Sequence, residues 1–288
     1  YGPEESSRWL AAAIEAGWQG WPAPVRDLVP VNATVPAVAA ADVGRVLDSF
    51  GEVPAVKVKV AESGRTGPEG VAEDVARVAE VRRLRPGVAL RIDANQGWDH
   101  ATALAALQQL AEHGLEYAEQ PVAGIEGLAR LREVLHAAGT PMRIAADESV
   151  RKETDPLAVA RAGAADLVVI KVQPLGGVRR ALGIVGAAGL DAVVSSALDT
   201  SVGIAAGVAL AASLPALPYA CGLGTVALFT EDVVVPGWIP DAGRLASGAT
   251  RARPVPDPSA LARLRADEDR QQWWRQRLVQ AHGVLSAT

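Results

Sequence analysis

Short runs of Val, Ala, Ile and Leu alternate along this chain with longer segments rich in Ala, Leu and Arg. The short apolar runs predict β-strands and the longer segments predict helices. The predicted strands are Val31–Val35, Ala55–Val60, Ala89–Ala94, Glu116–Glu119, Arg143–Asp147, Leu167–Val172, Asp191–Ser196 and Tyr219–Gly222. The predicted helices lie near residues 38–50, 68–85, 99–113, 125–139, 155–162, 176–188 and 201–213. This alternation is typical of an α/β protein with a parallel sheet.

Eight strands with seven intervening helices is the element count of a (β/α) barrel, and 288 residues is an ordinary length for one. The competing interpretation is a doubly wound sheet that binds a dinucleotide. However, no Gly-x-Gly-x-x-Gly motif follows the first predicted strand. We therefore predict a barrel over residues 29–250.

Both ends of the chain fall outside this alternation. Residues 1–28 contain a helix-like segment, Ser7–Ala16, and residues 251–288 contain another helical stretch after a proline-rich run. We predict that the two ends form parts of a second, smaller unit that packs on the barrel.

Composition narrows the class of protein. The net charge of −5 argues against a nucleic-acid-binding surface, which is normally basic, and no run of about eighteen apolar residues predicts a membrane span. The single cysteine, Cys221, excludes an internal disulfide and fits a reducing compartment. We therefore expect a cytoplasmic protein whose partner is a small-molecule carboxylate, with no nucleic acid and no membrane. The sequence leaves the oligomeric state open and is compatible with a monomer.

Lysine is scarce, which makes its positions informative. Of the 28 Lys and Arg residues only four are lysine, and these are Lys57, Lys59, Lys152 and Lys171. Lysine differs from arginine in that its amine can lose a proton when buried, as base chemistry requires. Lys57 and Lys59 alternate within the second predicted strand and therefore share one face. Lys171 lies in the sixth strand, whereas Lys152 is expected at the surface.

Carboxylates end the three strands between these lysines. Asp93, Glu119 and Asp147 lie at the carboxyl ends of the third, fourth and fifth predicted strands, where the active sites of such barrels lie. Three oxygen ligands from adjacent strands suit Mg²⁺, with Mn²⁺ as an alternative ion, and the absence of accompanying His or Cys argues against Zn²⁺. Because the three charges would repel one another without a cation, the cluster itself predicts one.

Together these residues predict the removal of a proton next to a carboxylate. A bound Mg²⁺ can stabilise the enediolate formed from a substrate carboxylate, and the base is then a lysine whose pKa is lowered by burial and by nearby positive charge. Lys59 and Lys171, on opposite sides of the metal, could each address one face of the substrate. A single strand-end carboxylate is more often a helix cap. Five such residues in register on five consecutive strands favour the functional interpretation.

The motifs around these residues resemble those of the enolase superfamily, in particular its muconate-lactonizing subgroup. The matching stretches are Lys57-Val58-Lys59, Asp93-Ala94-Asn95, Glu119-Gln120-Pro121, Asp147-Glu148-Ser149 and Lys171. The likeness extends from about residue 5 to the end of the chain. It implies a modified TIM barrel, (β/α)7β, with an α+β capping domain built from both chain ends. Enolase-superfamily sites use a lysine or histidine base together with Mg²⁺.

The family places an N-terminal antiparallel sheet before the first helix, and this sequence starts almost at that helix. We therefore expect a truncated chain in which residues 1–28 are a remnant of the capping domain and residues 251–288 pack on it. Any substrate-contacting loop of the sheet would lie outside this sequence.

Two further stretches indicate a branch of the subgroup. Ser195–Ser201, after the seventh strand, and Cys221–Thr225, after the eighth, are similar to those of the subgroup's dehydratases, particularly the actinobacterial ones. This likeness implies a carbon–oxygen lyase of menaquinone biosynthesis. Its reaction is the loss of water from a succinyl-bearing cyclohexadiene carboxylate to give an aromatic ring. The absence of a carboxylate from Gly222–Thr225 disfavours a substrate with an amino group.

The resemblance also implies residue roles. Lys59 takes the proton α to the carboxylate and returns it to the departing hydroxide, while Lys171 stays protonated on the other face and stabilises charge by an electrostatic or cation–π contact. Lys57 is expected to favour the neutral amine of Lys59 and to contact the substrate carboxylate. Asn95 and Glu148 are expected to hold the metal ligands. The candidates for binding the rest of the substrate are Ser195, Ser196, Ser201 and Gly222.

Three alternatives stay open. One is a racemase or cycloisomerase that uses both lysines as bases, such as a muconate cycloisomerase or an N-acylamino-acid racemase. Another is a Schiff-base aldolase with Lys171 as nucleophile, although such an enzyme does not need three metal-binding carboxylates. The third is a non-catalytic binding scaffold, which would bind no Mg²⁺.

Overall fold

Seven parallel strands lie in one sheet, in the order in which they occur along the chain, in a computed structural model that describes residues 2–65, 67–140, 142–248 and 252–287. An additional pair of strands, the first and the last, forms a separate antiparallel sheet. The strands are β1 (Leu28–Pro30), β2 (Asn32–Val35), β3 (Ala55–Lys59), β4 (Ala89–Asp93), β5 (Leu115–Glu119), β6 (Ile144–Ala146), β7 (Leu167–Ile170), β8 (Asp191–Val194) and β9 (Arg244–Ala246). The seven-stranded sheet runs from β2 to β8.

The last predicted barrel strand is reduced to two bridging residues. Cys221 pairs with Val31 just before β2, and Gly222 pairs with Ser195 just after β8. Their backbones bond to both neighbours, since Cys221 N donates to Pro30 O at 2.7 Å and Gly222 N donates to Val194 O at 2.9 Å. The absence of a side chain at Gly222 leaves room for Ser195, since a Cβ there would lie 2.6 Å from Ser195 Oγ. The segment therefore closes the barrel, as predicted, without forming a regular strand.

Helices connect and cover the strands. They are α1 (Pro3–Ile14), α2 (Val43–Phe50), α3 (Pro68–Leu84), α4 (His100–Leu110), α5 (Ile125–Ala137), α6 (Asp155–Arg161), α7 (Val178–Ala188), α8 (Ser201–Ser213), α9 (Pro258–Arg263) and α10 (Glu268–Ser286). Helices α2 to α8 follow successive barrel strands and pack mostly on their sequence neighbours. The predicted (β/α) barrel is thereby confirmed. Among the helices of the described ranges, none combines the length and the apolar character that a membrane span needs.

The barrel has two apolar layers, because successive strand residues point to opposite faces. Ala118, Val168 and Ile170 belong to the large core between sheet and helices, whereas Tyr117 and Val169 belong to a smaller cluster inside the barrel. Buried Arg91 lies 4.9 Å from the ring centroid of Tyr117 within this interior layer. The interior layer fills the barrel beneath its carboxyl end.

The chain ends make contacts outside the strand–helix alternation. Helix α1 packs along α10, and a π-helical turn, Glu15–Gln19, continues α1. Strand β1 pairs with β9, with Val29 opposite Leu245. Strands of three residues carry too little periodicity to be recognised from sequence. The division into residues 1–28, 29–250 and 251–288 stays a prediction.

A buried ion pair ties α3 to the end of β3. Arg77 Nη1 lies 2.7 Å from Asp74 Oδ1 and also donates to Lys59 O at 2.9 Å. The second oxygen of Asp74 accepts from Ala61 N at 2.8 Å. Both side chains are almost fully buried, and burial raises the pKa of Asp74. The pair thus fixes the backbone on either side of the point where Lys59 leaves the strand.

We predict that Arg77→Met lowers the free energy of unfolding by about 3–5 kcal/mol, because it leaves the Asp74 carboxylate buried without its partner. Urea denaturation followed by circular dichroism measures the change. The matched control is Arg83→Met on the same helix, whose guanidinium is exposed and pairs with Glu80 at the surface. That variant should unfold like the parent, and equal destabilisation by both variants would contradict the proposed role of the buried pair.

Candidate active site

The parallel register brings the candidate residues together at one end of the barrel. Lys59 lies opposite Asp93, and Asp93 lies opposite Glu119, on β3, β4 and β5. Asp147 and Lys171 directly follow β6 and β7. Since neighbouring positions of parallel strands point to the same face, the five side chains converge at the carboxyl end.

All three carboxylates are buried, and each of them pairs with at least one lysine. Asp93 and Glu119 are 1% exposed and Asp147 is 5% exposed. Lys57, from one layer deeper, places its Nζ 3.0 Å from Asp93 Oδ2 and 2.9 Å from Glu119 Oε1. Lys59 Nζ donates to Asp93 Oδ2 at 2.6 Å. The Asp93 carboxylate therefore has two ammonium partners, one from below and one from the rim.

The surroundings shift the pKa values of the clustered side chains in different directions. Burial alone would raise the pKa of Asp93, but the Lys57 and Lys59 ammonium groups hold it well below its usual value. Burial and then the Asp93 charge raise the pKa of Glu119 to about 8, although Lys57 opposes this shift. Burial alone would lower the pKa of Lys57, and its carboxylate partners raise it well above the ordinary value. Negative charge at Glu119 is thus incompletely compensated.

On the opposite side, Lys171 pairs with Asp147. Its Nζ donates to both carboxylate oxygens, at 2.7 Å in the case of Oδ2. The side chain is 10% exposed, against 34% for Lys59. The two lysines thus sit on separate carboxylates at opposite sides of the cluster, and Lys59 is the more accessible one.

Asn95 and Glu148 extend this network. Lys59 Nζ donates to Asn95 Oδ1 at 2.7 Å, and Asn95 Nδ2 donates to Glu148 Oε1 at 3.1 Å. Arg151, which the sequence did not single out, lies 3.2 Å from the same Glu148 oxygen and 3.7 Å from Asp147 Oδ1. Glu148 Oε2 is buried without a hydrogen-bond partner, and burial followed by the Asp147 charge raises the pKa of Glu148.

The fit of a divalent cation depends on the lysines. In the described ranges no group of three or more His, Cys, Asp or Glu side chains has an arrangement that could hold a metal ion. The ammonium groups lie against the carboxylate oxygens that an ion would use. The chemistry of the donors nevertheless suits Mg²⁺, although their present arrangement does not, since the site offers three buried carboxylates and one unpaired buried oxygen, Glu148 Oε2. Binding an ion requires the ammonium groups to withdraw from these oxygens.

The remaining substrate-binding candidates lie around the closing segment. Ser195 is buried beside Gly222, and Ser196 Oγ lies 2.8 Å from Thr225 Oγ1 and donates to Gly222 O at 3.2 Å. Ser201 is fully buried at the start of α8, where its hydroxyl donates to Asp232 and accepts from Trp238 N. The hydroxyl of Ser201 is thus held by the loop that follows the closing segment.

Comparison with known proteins identifies the family. The model of the family "Enolase C-terminal domain-like" matches residues 38–252. The o-succinylbenzoate synthase of Mycolicibacterium smegmatis is 49% identical over 286 residues, which cover 99% of this chain and 84% of that protein. The o-succinylbenzoate synthase of Mycobacterium marinum is 50% identical over 287 residues, with 99% and 83% covered. The chain belongs to the o-succinylbenzoate synthase family of the enolase superfamily. This is a family of lyases, and the predicted resemblance is confirmed.

Solved structures of the enolase superfamily share the fold. The muconate lactonizing enzyme from Pseudomonas putida superposes with a TM-score of 0.71 at 28% identity, over 83% of this chain and 66% of that one. The 2-chloromuconate cycloisomerase from Rhodococcus opacus superposes with a TM-score of 0.72 at 28% identity, over 85% and 66%. The chain thus spans slightly less than two thirds of each of these two chains.

Gln120, which belongs to the Glu119-Gln120-Pro121 motif, holds the backbone around Asp147. Gln120 is fully buried directly after Glu119. Its Oε1 accepts from Asp147 N at 3.0 Å and from Ser149 N at 3.1 Å, while Nε2 donates to Ser149 Oγ and to Val122 O. Gln120 therefore holds the backbone from which Asp147 projects. A glutamine next to a strand end has no sequence signal that distinguishes this role.

Backbone strain marks the same end of the barrel. Left-handed φ angles occur at residues other than glycine in the loops after β3, β4, β5 and β8. They are Ala61 (58°), Asn95 (44°), Gln96 (66°), Gln120 (39°) and Leu198 (65°). Each such residue costs of order 1–3 kcal/mol, and strain of this kind persists where the surrounding structure determines it. Sequence patterns predict left-handed positions mainly at glycine, so these residues were missed.

We predict that Gln120→Leu, which keeps the volume but removes all four side-chain hydrogen bonds, weakens Mg²⁺ binding by about 10–100-fold. Isothermal titration calorimetry measures the affinity. Gln109→Leu on the exposed side of α4 is the matched control and should bind like the parent. Unchanged Mg²⁺ affinity in Gln120→Leu would show that Gln120 does not position Asp147 for the ion.

Proposed function

We propose that this protein is an o-succinylbenzoate synthase. Its reaction is then the loss of water from 2-succinyl-6-hydroxy-2,4-cyclohexadiene-1-carboxylate to give o-succinylbenzoate, a step of menaquinone biosynthesis. The observation that carries the proposal is the 49% identity over 99% of the chain to relatives of that name. The juxtaposition of Lys59 and Lys171 across three buried carboxylates supports it, because the reaction starts by removing a proton from carbon.

Lys59 is the proposed base. It stands on the rim with the more exposed of the two ammonium groups, and its present partners are Asp93 and Asn95. As a neutral amine, Nζ would take the proton from the carbon next to the substrate carboxylate. The same nitrogen would then give this proton to the departing hydroxyl, so that water leaves and the ring becomes aromatic. One lysine thereby serves both proton transfers on one face of the ring.

Asp93, Glu119 and Asp147 would hold Mg²⁺, or Mn²⁺ in its place. When bound, the ion supplies positive charge that stabilises the enediolate form of the substrate carboxylate. Lys59 would have to release Asp93 Oδ2 for an ion to bind there, because its Nζ now occupies the same oxygen. Binding of an ion to the carboxylates and release of Lys59 from Asp93 would then occur together.

Lys171 has the opposite role in this proposal. Its Nζ donates to both oxygens of Asp147 and its side chain is 10% exposed, on the face of the site opposite Lys59. From there it would stabilise negative charge and the forming aromatic ring by electrostatic or cation–π attraction. Lys57, buried between Asp93 and Glu119, would keep those two ligands together from below.

A muconate cycloisomerase is the second candidate, favoured by the superposition with muconate lactonizing enzymes. The lower identity of 28% to those proteins, against 49% to o-succinylbenzoate synthases, makes it the weaker proposal. An assay with cis,cis-muconate under the same conditions separates the two, since only a cycloisomerase forms a lactone from it.

We predict that Lys59→Ala lowers kcat for dehydration by about 10²–10⁴-fold, the usual contribution of a positioned acid–base group. Formation of o-succinylbenzoate is followed by ultraviolet absorbance, with Mg²⁺ present and after removal by chelation. The chain offers a matched control in Lys152→Ala, which changes an exposed lysine. That variant should turn over like the parent.

Two outcomes would overturn this account. Appreciable turnover by metal-loaded Lys59→Ala would remove Lys59 from the role of base. If the parent protein forms no o-succinylbenzoate but converts cis,cis-muconate, the proposed activity is wrong and the second candidate replaces it.

A further inference from the structure

A carboxylate from the N-terminal helical segment is inserted at the start of α7. Glu15 lies in the π-helical turn after α1 and is 5% exposed. Its Oε2 accepts from Val178 N at 2.5 Å, and its Oε1 accepts from Arg179 N at 3.0 Å. The first N–H groups of a helix lack intrahelical partners, and the Glu15 carboxylate supplies acceptors to two of them. It joins two parts of the chain about 160 residues apart.

The start of α7 is shaped to receive this side chain. Gly177, the residue before the helix, has a φ of 124°, and a Cβ at this position would overlap Glu15 Oε2. The preceding Gly176 also has a left-handed φ, of 88°. Arg179 Nη1 completes the contact, since it lies 3.1 Å from Glu15 Oε1 and donates to Gly20 O at 2.6 Å. Only glycine permits so close an approach of carboxylate and backbone.

The segment held in this way leads directly from Lys171. Only residues 172–177 separate Lys171 from α7, and they form a tight turn in which Gly176 N donates to Gln173 O at 3.1 Å and Gly177 N donates to Val172 O at 3.2 Å. Val172 and Leu175 are each 1% exposed, so this turn is packed into the core. A displacement at the start of α7 would therefore be transmitted to the base of Lys171.

A second ionic interaction connects the same helical segment to the loop after Asp147. Glu153 pairs with Arg8 of α1 at 3.2 Å and with Arg180 of α7. The N-terminal segment thus contacts both loops that leave the Asp147–Lys171 pair. These loops and α1 enclose a cavity of about 490 Å³, lined in part by Trp9, Arg151 and Pro174.

We propose that Glu15 is a positioning residue for Lys171. By binding the start of α7 it fixes the turn after Lys171 and so holds that ammonium against Asp147, on the side of the site opposite Lys59. The assignment of Lys171 to the reaction rests on the proposed function, whereas the positioning of its side chain does not.

The test compares Glu15→Ala, Glu15→Gln and Glu4→Ala, the last being an exposed glutamate on the same N-terminal helix. Brief labelling with acetic anhydride, resolved by mass spectrometry, gives the relative reactivity of all four lysines in one molecule. We expect Lys171 in Glu15→Ala to react about tenfold faster relative to exposed Lys152, with Lys57 and Lys59 unchanged. Glu15→Gln, which keeps one acceptor oxygen and the side-chain length, should restore most of the protection. Glu4→Ala should match the parent.

Kinetics give the second readout. In Glu15→Ala, kcat for dehydration should fall by about 10–100-fold with little change in KM, as expected when a charged group near the reacting atoms is misplaced by about 1 Å. Gly177→Ala attacks the same contact from the helix side and should give the same pattern. The double variant should lose little more than either single variant, because both remove one interaction.

Each result decides between explanations. Parallel acceleration of Lys57, Lys59 and Lys171 labelling would mean general loosening and would overturn the positioning role. So would unchanged Lys171 labelling in Glu15→Ala, whereas altered labelling with unchanged kcat would support the positioning role and remove Lys171 from the reaction. If the parent protein does not dehydrate the substrate, the proposed function fails, and the labelling ratio still decides whether Glu15 positions Lys171.

Discussion

Three carboxylates, Asp93, Glu119 and Asp147, are buried side by side at one end of a barrel, and their charges require compensation. In the structure three ammonium groups provide it, from Lys57, Lys59 and Lys171. The balance is local rather than complete, as the raised pKa of Glu119 indicates. A divalent cation at the same oxygens would displace lysine contacts and leave an excess of positive charge, which suits a substrate that is itself a carboxylate. The proposed chemistry depends on this exchange of partners.

The scaffold holds these charges through buried side chains that do not react. Asp74 and Arg77 fix the chain beside Lys59, Gln120 fixes the chain beside Asp147, and Glu15 fixes the turn after Lys171. Asp74, Arg77 and Gln120 bond to backbone groups beside the functional residue, whereas Glu15 bonds to backbone N–H groups at the start of α7. Two of the left-handed residues lie at these contacts: Ala61, whose N–H is bound by Asp74, and Gln120 itself.

The strands of the site could be predicted because their register follows from simple alternation. Lys57 and Lys59 share a face, and the strand ends at Asp93, Glu119 and Asp147 are neighbours in chain order, so the convergence follows from parallel pairing alone. Contacts between segments that are distant along the chain produce no such pattern in the sequence. Glu15 reads as an ordinary helical glutamate until the fold brings it to α7, and Gln120 reads as part of a motif. Strands β1 and β9 are too short to show a period. The segment with Cys221 and Gly222 was predicted as the eighth strand, and it forms only two bridges.

The central claim is that the lysine-bound carboxylates are a cation site whose occupation frees the base. A crystal structure of the protein soaked in Mg²⁺ tests it most directly. The account predicts one ion with oxygen ligands from Asp93, Glu119 and Asp147 at about 2.0–2.1 Å, and the Lys59 ammonium withdrawn from Asp93 Oδ2. Full-occupancy Mg²⁺ elsewhere, with Lys59 still on Asp93 and Lys57 still bridging Asp93 and Glu119, would contradict it.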